Sequence, residues 1–600
     1  MIIPSFTEVD IRAGATSQSF SRGKDYYDNG AVLEIARRGA LITAEVEGSD
    51  YAPYAITIQL DDAGAIDDAM CSCPYDYSGY CKHIVAVLLA LLHGDTVEEH
   101  ADLETLIDGL TEAQLRQIIV TVGGEQAGFA DAIERAIILL RRTAPDVAGA
   151  PDAPLPPIDV AAIRRELRRA LRSAAATGGG GGRSYYYDEY DDMAIDAAAL
   201  LAPGLDVAET LLVRGDPTGA LTVLAGLIEE WGESLADLEE WIVEANEDAF
   251  AEAASDVDAL FAECLLSLPL TEAERATWQE RLDDWAGDAM RLAVSEIALE
   301  TGWEYPPLVA AMQGNITEQG AWEGEPPDGS DLLAQARLRI LARQGRDAEY
   351  LNLAQAEGEL LLYVTRLIEL GEIARAVDEA IAYLAMPSEV LATARLLDAR
   401  GHHAEALQVA APGLDLTYPY YLEDLARWLA PHALAQGDTA LALRAVEIAF
   451  RQSHRLDDYQ AAERIAGTSW DAVKRGLLDD LRQAGSYTEV DIYLYEHMLV
   501  EAMQSVDRHG DYSADLERVI EAVRGNDPDW CIGHCKRRAE RIMNGGDAKR
   551  YDDAAAWLRR ARTLYAEHDR LAEWQPYLAG LLETHQRKYK LVPLLKALRQ

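Results

Sequence analysis

The stretch LDARGHHAEAL, Leu397 to Leu407, decides how most of this chain folds. Apolar residues at helical spacing run up to a glycine, and small alanines resume at once beyond it. Glycine supplies the left-handed turn that ends a helix, and alanine lets the next helix approach closely. The phrase returns as LARQGRDAEYL (Leu341–Leu351), LIELGEIARAV (Leu367–Val377) and LAQGDTALALRAV (Leu434–Val446). Its glycines, Gly345, Gly371, Gly401 and Gly437, stand 26, 30 and 36 residues apart, and an earlier copy surrounds Gly215.

Units of that length predict helical hairpins stacked as an irregular α-solenoid, resembling tetratricopeptide repeats in kind but not in regularity. The pattern extends over residues 185–600. Upstream of it, five prolines between Pro145 and Pro157 and the five glycines 178–182 frame a basic helix, IRRELRRALR, within a linker at 145–184. Residues 96–144 read as a helical extension, opened by LETLIDGLTEAQLRQIIV. Thr111 with Gln114, and Thr271 with Glu274, have capping-box spacing.

The first 95 residues differ. AVLEIAR, LITAEVEG and YAITIQL are short, rich in Val, Ile and Thr, and separated by turn chemistry, so a small β-meander is expected. It leads into MCSCPYDYSGYCKHIVAVLLALL, Met70–Leu92, which holds three of the six cysteines of the chain. Cys71, Cys73, Cys81 and His83 offer three thiolates and one imidazole, the donor set of a closed tetrahedral zinc site. Alternation would send Cys71 and Cys73 to one side of a strand, while Cys81 and His83 would stand at the entry of an apolar helix, whose dipole favours thiolate. Such a set leaves no open position, so one structural Zn²⁺ is expected rather than a catalytic one.

The string C-x-C-P-Y…C-K-H-I-x-A-x-L-L resembles the SWIM-type zinc finger, whose motif is C-x-C, a variable loop, then C-x-H. The family's ligands map onto Cys71, Cys73, Cys81 and His83 without departure. Upstream, SFSRGKDYYDNGAV and ITAEVEGSDYAPYAITIQL look like the preceding strands of bacterial members, and the long helical remainder resembles their carboxy-terminal part. The resemblance implies DNA binding or protein interaction.

Composition bears on that choice. The 600 residues carry a formal charge of -49, with 103 acids against 54 Lys and Arg. Affinity for nucleic acid comes chiefly from cations neutralising phosphates, so this balance opposes it. Residues 1–95 hold only six Lys and Arg against fourteen Asp and Glu. The basic helix, with Arg164, Arg165, Arg168, Arg169 and Arg172, could contact nucleic acid, but pairing with acidic neighbours such as the DEYDD run at 188–192 is the favoured expectation. The longest apolar run, Ile84–Leu92, is too short to span a bilayer, and MIIPSFTEVDIRAG lacks the pattern of a secretory signal. A cytoplasmic location follows as the expectation.

Other candidates are weak. Cys531, His534 and Cys535 lie on a helix with no further ligand in sight, and Cys264 sits in an apolar helix. His93, His100 and the pair His402–His403 belong to no ligand pattern. No H-E-x-x-H, Walker A, G-x-S-x-G or G-x-G-x-x-G motif occurs. The expectation is a non-enzymatic zinc-binding scaffold for protein partners, with a nucleic-acid-binding factor as the alternative and no membrane partner.

Overall fold

In the computed structural model, residues 5–48, 53–61, 64–73, 75, 79–94, 97–143, 158–178, 195–238, 242–243, 246–286, 290–485, 489–509 and 515–599 are described. The chain divides into two units, Met1–Pro156 and Pro157–Gln600. The prolines at 145–157, the glycines beyond 178 and the DEYDD run lie outside the described residues.

The first unit opens with helices α1 (Glu8–Ala13) and α2 (Ser17–Asp28). Strands β1 (Val32–Arg38), β2 (Leu41–Val46), β3 (Tyr54–Leu60) and β4 (Ile66–Cys71) follow, then helix α3 (Lys82–His93) and strand β5 (Glu98–His100). The sheet order is β4-β3-β2-β1-β5, antiparallel except for β5, which runs parallel to β1. Alternation drives the core. In β2, Ile42, Ala44 and Val46 are buried and pair across to Ile58, Ile56 and Tyr54 of β3. Helix α3, buried from His83 through Ala90, lies on that apolar layer.

Two strand expectations change here. SFSRGKDYYD, expected as part of the strands, is α2, capped by Thr16, whose hydroxyl accepts from the Ser19 amide at 3.1 Å. Phe20 and Gly23 stand one turn apart on its inner side. A Cβ on Gly23 would lie 2.5 Å from Val85 Cβ, so glycine permits the close seating of α2 on α3. The meander also gains two strands: β4 carries Asp67 and Asp68, and β5 is exposed throughout, so neither shows apolar alternation. Beyond β5 come α4 (Leu103–Ile107), α5 (Glu112–Glu125) and α6 (Ala127–Thr143). The Thr111–Gln114 capping box forms as expected, with the Thr111 amide donating to Gln114 at 2.9 Å.

The second unit is helical along its described length. Helix α7 (Ala161–Gly178) is the basic helix, and it packs against α9 (Pro217–Ala236) and α8 (Ala197–Val213). It thus belongs to the helical body rather than to a linker. Arg164 and Arg168 both bind Glu230, a fully buried carboxylate of α9; Arg168 Nε donates to Oε1 at 2.7 Å and Arg164 Nε to Oε2 at 3.2 Å. Arg164 also reaches Glu229 and Glu233, and Arg172 reaches Asp237. Acidic neighbours do hold these arginines, and the described ones come from α9 and its C-cap Asp237.

The repeat glycines work as their positions require. Gly215, Gly345, Gly371, Gly401 and Gly437 all have φ between 66° and 85°. After each, the following amide reaches back five residues: Asp216 to Leu211, Arg346 to Leu341, Glu372 to Leu367, His402 to Leu397 and Asp438 to Ala433, at 2.9–3.0 Å. This is the Schellman closure, which satisfies otherwise orphaned carbonyls at a helix end. The residue that closes one helix then starts the next. Asp216 and Asp438 cap their helices through their side chains, accepting from the Gly219 and Leu441 amides at 2.9 Å. Gly358, with Glu359 bonded to Ala354, adds a turn the spacing did not reveal.

Candidate metal centre

Strand β4 ends at Cys71, and the chain bends away from the sheet through Ser72 and Cys73. Ser72 fastens this bend to β3: its amide donates to Ala55 O at 2.9 Å, and its hydroxyl accepts from the Ala55 amide at 2.9 Å. The return leg is anchored on α1. The Tyr80 amide donates to Gly14 O at 2.6 Å, and Gly79 takes φ +85°. A Cβ on Gly14 would lie 2.2 Å from the Tyr80 ring, and one on Gly79 would lie 2.5 Å from Gly14 O. Both glycines are needed for this crossing. Cys81 then occupies the N-cap of α3, with His83 two residues on in the first turn and almost fully buried.

The four side chains converge. Their ligand atoms all lie within 4.8 Å of one another. His83 Nδ1 is 3.7 Å from Cys71 Sγ and 3.8 Å from Cys81 Sγ. Tetrahedral zinc with ordinary Zn–S and Zn–N bonds separates sulfur from nitrogen by about 3.5 Å, so these edges fit such an ion. The His83 ring is held between Tyr54, at 4.6 Å, and Tyr26, edge-on at 5.3 Å. Lys82 bonds the Tyr26 hydroxyl at 2.8 Å, and Ser19 bonds that of Tyr75 at 2.9 Å. The ligands therefore stand in a packed second layer of side chains.

Electrostatics agree with the donor chemistry. Cys81 is pushed down from the ordinary thiol value, first by its hydrogen bond with Cys71 and then, against burial, by His83 and the Ile84 amide. Cys71 is pushed up by that same hydrogen bond and by burial. Cys73 is pushed up by burial and by the charge on Cys81. One thiolate at this spot raises the cost of the next. Three together need a cation among them.

Cys71, Cys73, Cys81 and His83 thus come together as the sequence spacing requires. Among the described residues this is the one group of three or more Cys, His, Asp or Glu side chains able to hold a metal ion. Cys531, His534 and Cys535 are core residues of the helix Pro528–Gly545. Burial pushes both of these thiols up to about 12, and His534 Nε2 bonds Asp507 at 2.8 Å. Cys264 is fully buried packing. His93 is exposed and stacks on Tyr27, while His100 is exposed beside Glu98. His402 stands at a helix N-cap, and His403 bonds Asp398 at 2.6 Å. The supporting residues Gly14, Tyr26 and Tyr54 were not legible as site residues, because nothing in their spacing ties them to the cysteines.

Comparison with known proteins agrees with this geometry. The family model of the SWIM zinc finger matches residues 54–92, from β3 to α3. No curated protein matches the chain. Among solved structures, the chain is similar to the crystal structure of the P58(IPK) TPR domain, at 12% identity over 66% of this chain and 97% of that one, with a TM-score of 0.15. It is also similar to a circular tandem repeat protein with novel repeat topology, at 14% identity over 73% of this chain and 97% of that one, with a TM-score of 0.13. Scores so low bear no weight, and the repeat character rests on the glycine turns themselves. Residues 54–92 of the chain match the SWIM zinc finger and hold all four candidate ligands.

Proposed function

We propose that this protein is a non-enzymatic, cytoplasmic adaptor. One structural zinc ion closes its amino-terminal module, and its helical array engages protein partners. The observation that carries the metal assignment is the ligand set itself. Three sulfurs and one imidazole nitrogen within 4.8 Å of one another would complete the tetrahedron of a zinc ion and leave no position for substrate. Binding of such an ion contributes on the order of 10 kcal/mol to the folding of a small domain. None of the six cysteines is joined in a disulfide, in keeping with a reducing compartment.

Support for protein rather than nucleic-acid partners comes from charge. Arg164, Arg168 and Arg172, the basic stripe available for phosphates, are engaged by carboxylates of α9. Helix after helix restarted at a glycine turn offers the extended surface that repeat proteins use for binding. Crosslinking of the full chain in its own cells, read by mass spectrometry, tests the reading. Protein crosslinks concentrated in residues 195–599 and insensitive to nuclease are expected. Crosslinks confined to residues 1–95, or lost on nuclease treatment, would overturn it.

A further inference from the structure

Helices α5 and α6 pack on each other but bury little of what they carry. Among the described residues, Ile138 is their one buried apolar side chain, and neither helix contributes to the apolar core of the first unit. Three consecutive residues of α5, Ile118, Ile119 and Val120, are exposed at 46%, 45% and 69%. Successive helical residues point about 100° apart, so these three sweep across more than half of the helix circumference. A single neighbouring helix cannot cover them. On α6, Phe129 and Leu140 are exposed as well.

We propose that this helix pair is the surface on which two copies of the chain associate. Area is the first argument. The five side chains leave roughly 500 Å² of residue surface in water, and the half-exposed Leu115, Ile133 and Ile137 add to it, against the ~800 Å² that each partner contributes to a standard interface. A patch of that size on a soluble chain marks a contact surface. Charge is the second argument. A chain of formal charge -49 repels its own copies. Residues 112–143, however, hold four arginines (116, 135, 141, 142) against four acids (112, 125, 131, 134), a balance of zero. The apolar surface therefore lies on a segment that adds no net charge of its own to that repulsion. Two such pairs stacked about a two-fold axis make a four-helix arrangement, which covers α5 on the side α6 leaves open.

The residues of this surface are neither zinc-site residues nor part of residues 195–599, so the proposal stands or falls apart from the function above. The test is sedimentation of the full zinc-loaded chain over a micromolar concentration series, with I119E and V120E alongside. Both positions are exposed, so helix content should match wild type. A wild-type dimer that tightens as salt rises from ~50 to ~500 mM, and variants that sediment as monomer, are expected. A wild-type monomer at tens of micromolar overturns the proposal. So does a dimer untouched by both substitutions. Strong hydrogen-exchange protection of α5 in the monomer would likewise sink it, by placing the cover within the same chain.

Discussion

At the residue scale, Cys81 and Glu230 make opposite demands on charge. Cys81 sits at a helix N-cap, where its thiolate is favoured, yet two more thiolates are required beside it. With zinc removed by a strong chelator, the first unit should lose strand signal while the helical signal of the second largely persists; circular dichroism before and after chelation reads this. Cys81→Ser should behave like the chelated wild type, whereas Cys264→Ser, a buried position of the second unit, should leave zinc content unchanged. Glu230 poses the buried-carboxylate problem. Burial is the largest influence and raises its pKa, but hydrogen bonds from Arg168, Ser234 and Arg164 together outweigh it and hold the group below the usual 4.5. The unfolded chain then binds more protons in that window, so the stabilisation is complete above pH 4.5 and is lost as pH falls through the depressed value. Glu230→Gln should cost about 2 kcal/mol at pH 7, less than a wholly buried pair because Arg168 is partly exposed. The penalty should shrink as pH is lowered in urea titrations; a penalty constant down to pH 3 would contradict the charge account.

At the element scale, two kinds of glycine separate cleanly. Gly401 takes φ +84°, and a Cβ there would meet no atom within 4 Å, so only backbone conformation demands glycine. Gly413 is helical, but its Cβ would stand 2.7 Å from Val390 and 2.8 Å from Leu425, so only space demands it. Gly401→Ala should therefore cost about 1–2 kcal/mol, and Gly401→Asn less, since asparagine tolerates the left-handed region. Gly413→Ala should cost a similar amount through overpacking, and Gly413→Asn more. The asparagine variants, compared by denaturant melts, decide between the two causes. Gly401 was legible because a conformational glycine is punctuated by helical pattern on both sides. Gly413 was not, because its constraint lies in residues of other helices. The same contrast explains the sheet. Apolar alternation marks β2 and β3, while β4 and β5 are held by neighbours in the ladder and carry Asp67, Asp68, Glu98 and Glu99. Ser17–Asp28 misled because its inner side is Phe20 and Gly23, the latter fitted against Val85, so too few large apolar residues mark a helical period.

At the scale of the whole molecule, the four metal ligands were readable because a tetrahedron requires donors in a fixed number and kind, which short spacings supply. The partners of the arginine helix were less so. Acidic residues are so abundant that sequence proximity pointed to 188–192, which lies outside the described residues, and gave no sign of the pairing of α7 with α9, some sixty residues on. This pairing decides what the charge of the chain can do. Arg164 and Arg168 already neutralise the buried Glu230, so they cannot release counterions from a phosphate backbone without first breaking those bonds, while Arg172 is held by Asp237 in an exposed pair. Titration of the full protein with duplex and single-stranded DNA should therefore give no saturable binding at ~50 mM salt, where electrostatic affinity is greatest. The variant E229Q/E233Q is the informative control. It frees part of the Arg164 guanidinium while leaving buried Glu230 in place, and should introduce weak binding that disappears by ~200 mM salt. Binding by the wild type at low salt, with a steep salt dependence, would show that cations elsewhere on this acidic chain form a phosphate track and would return the zinc module to a nucleic-acid role.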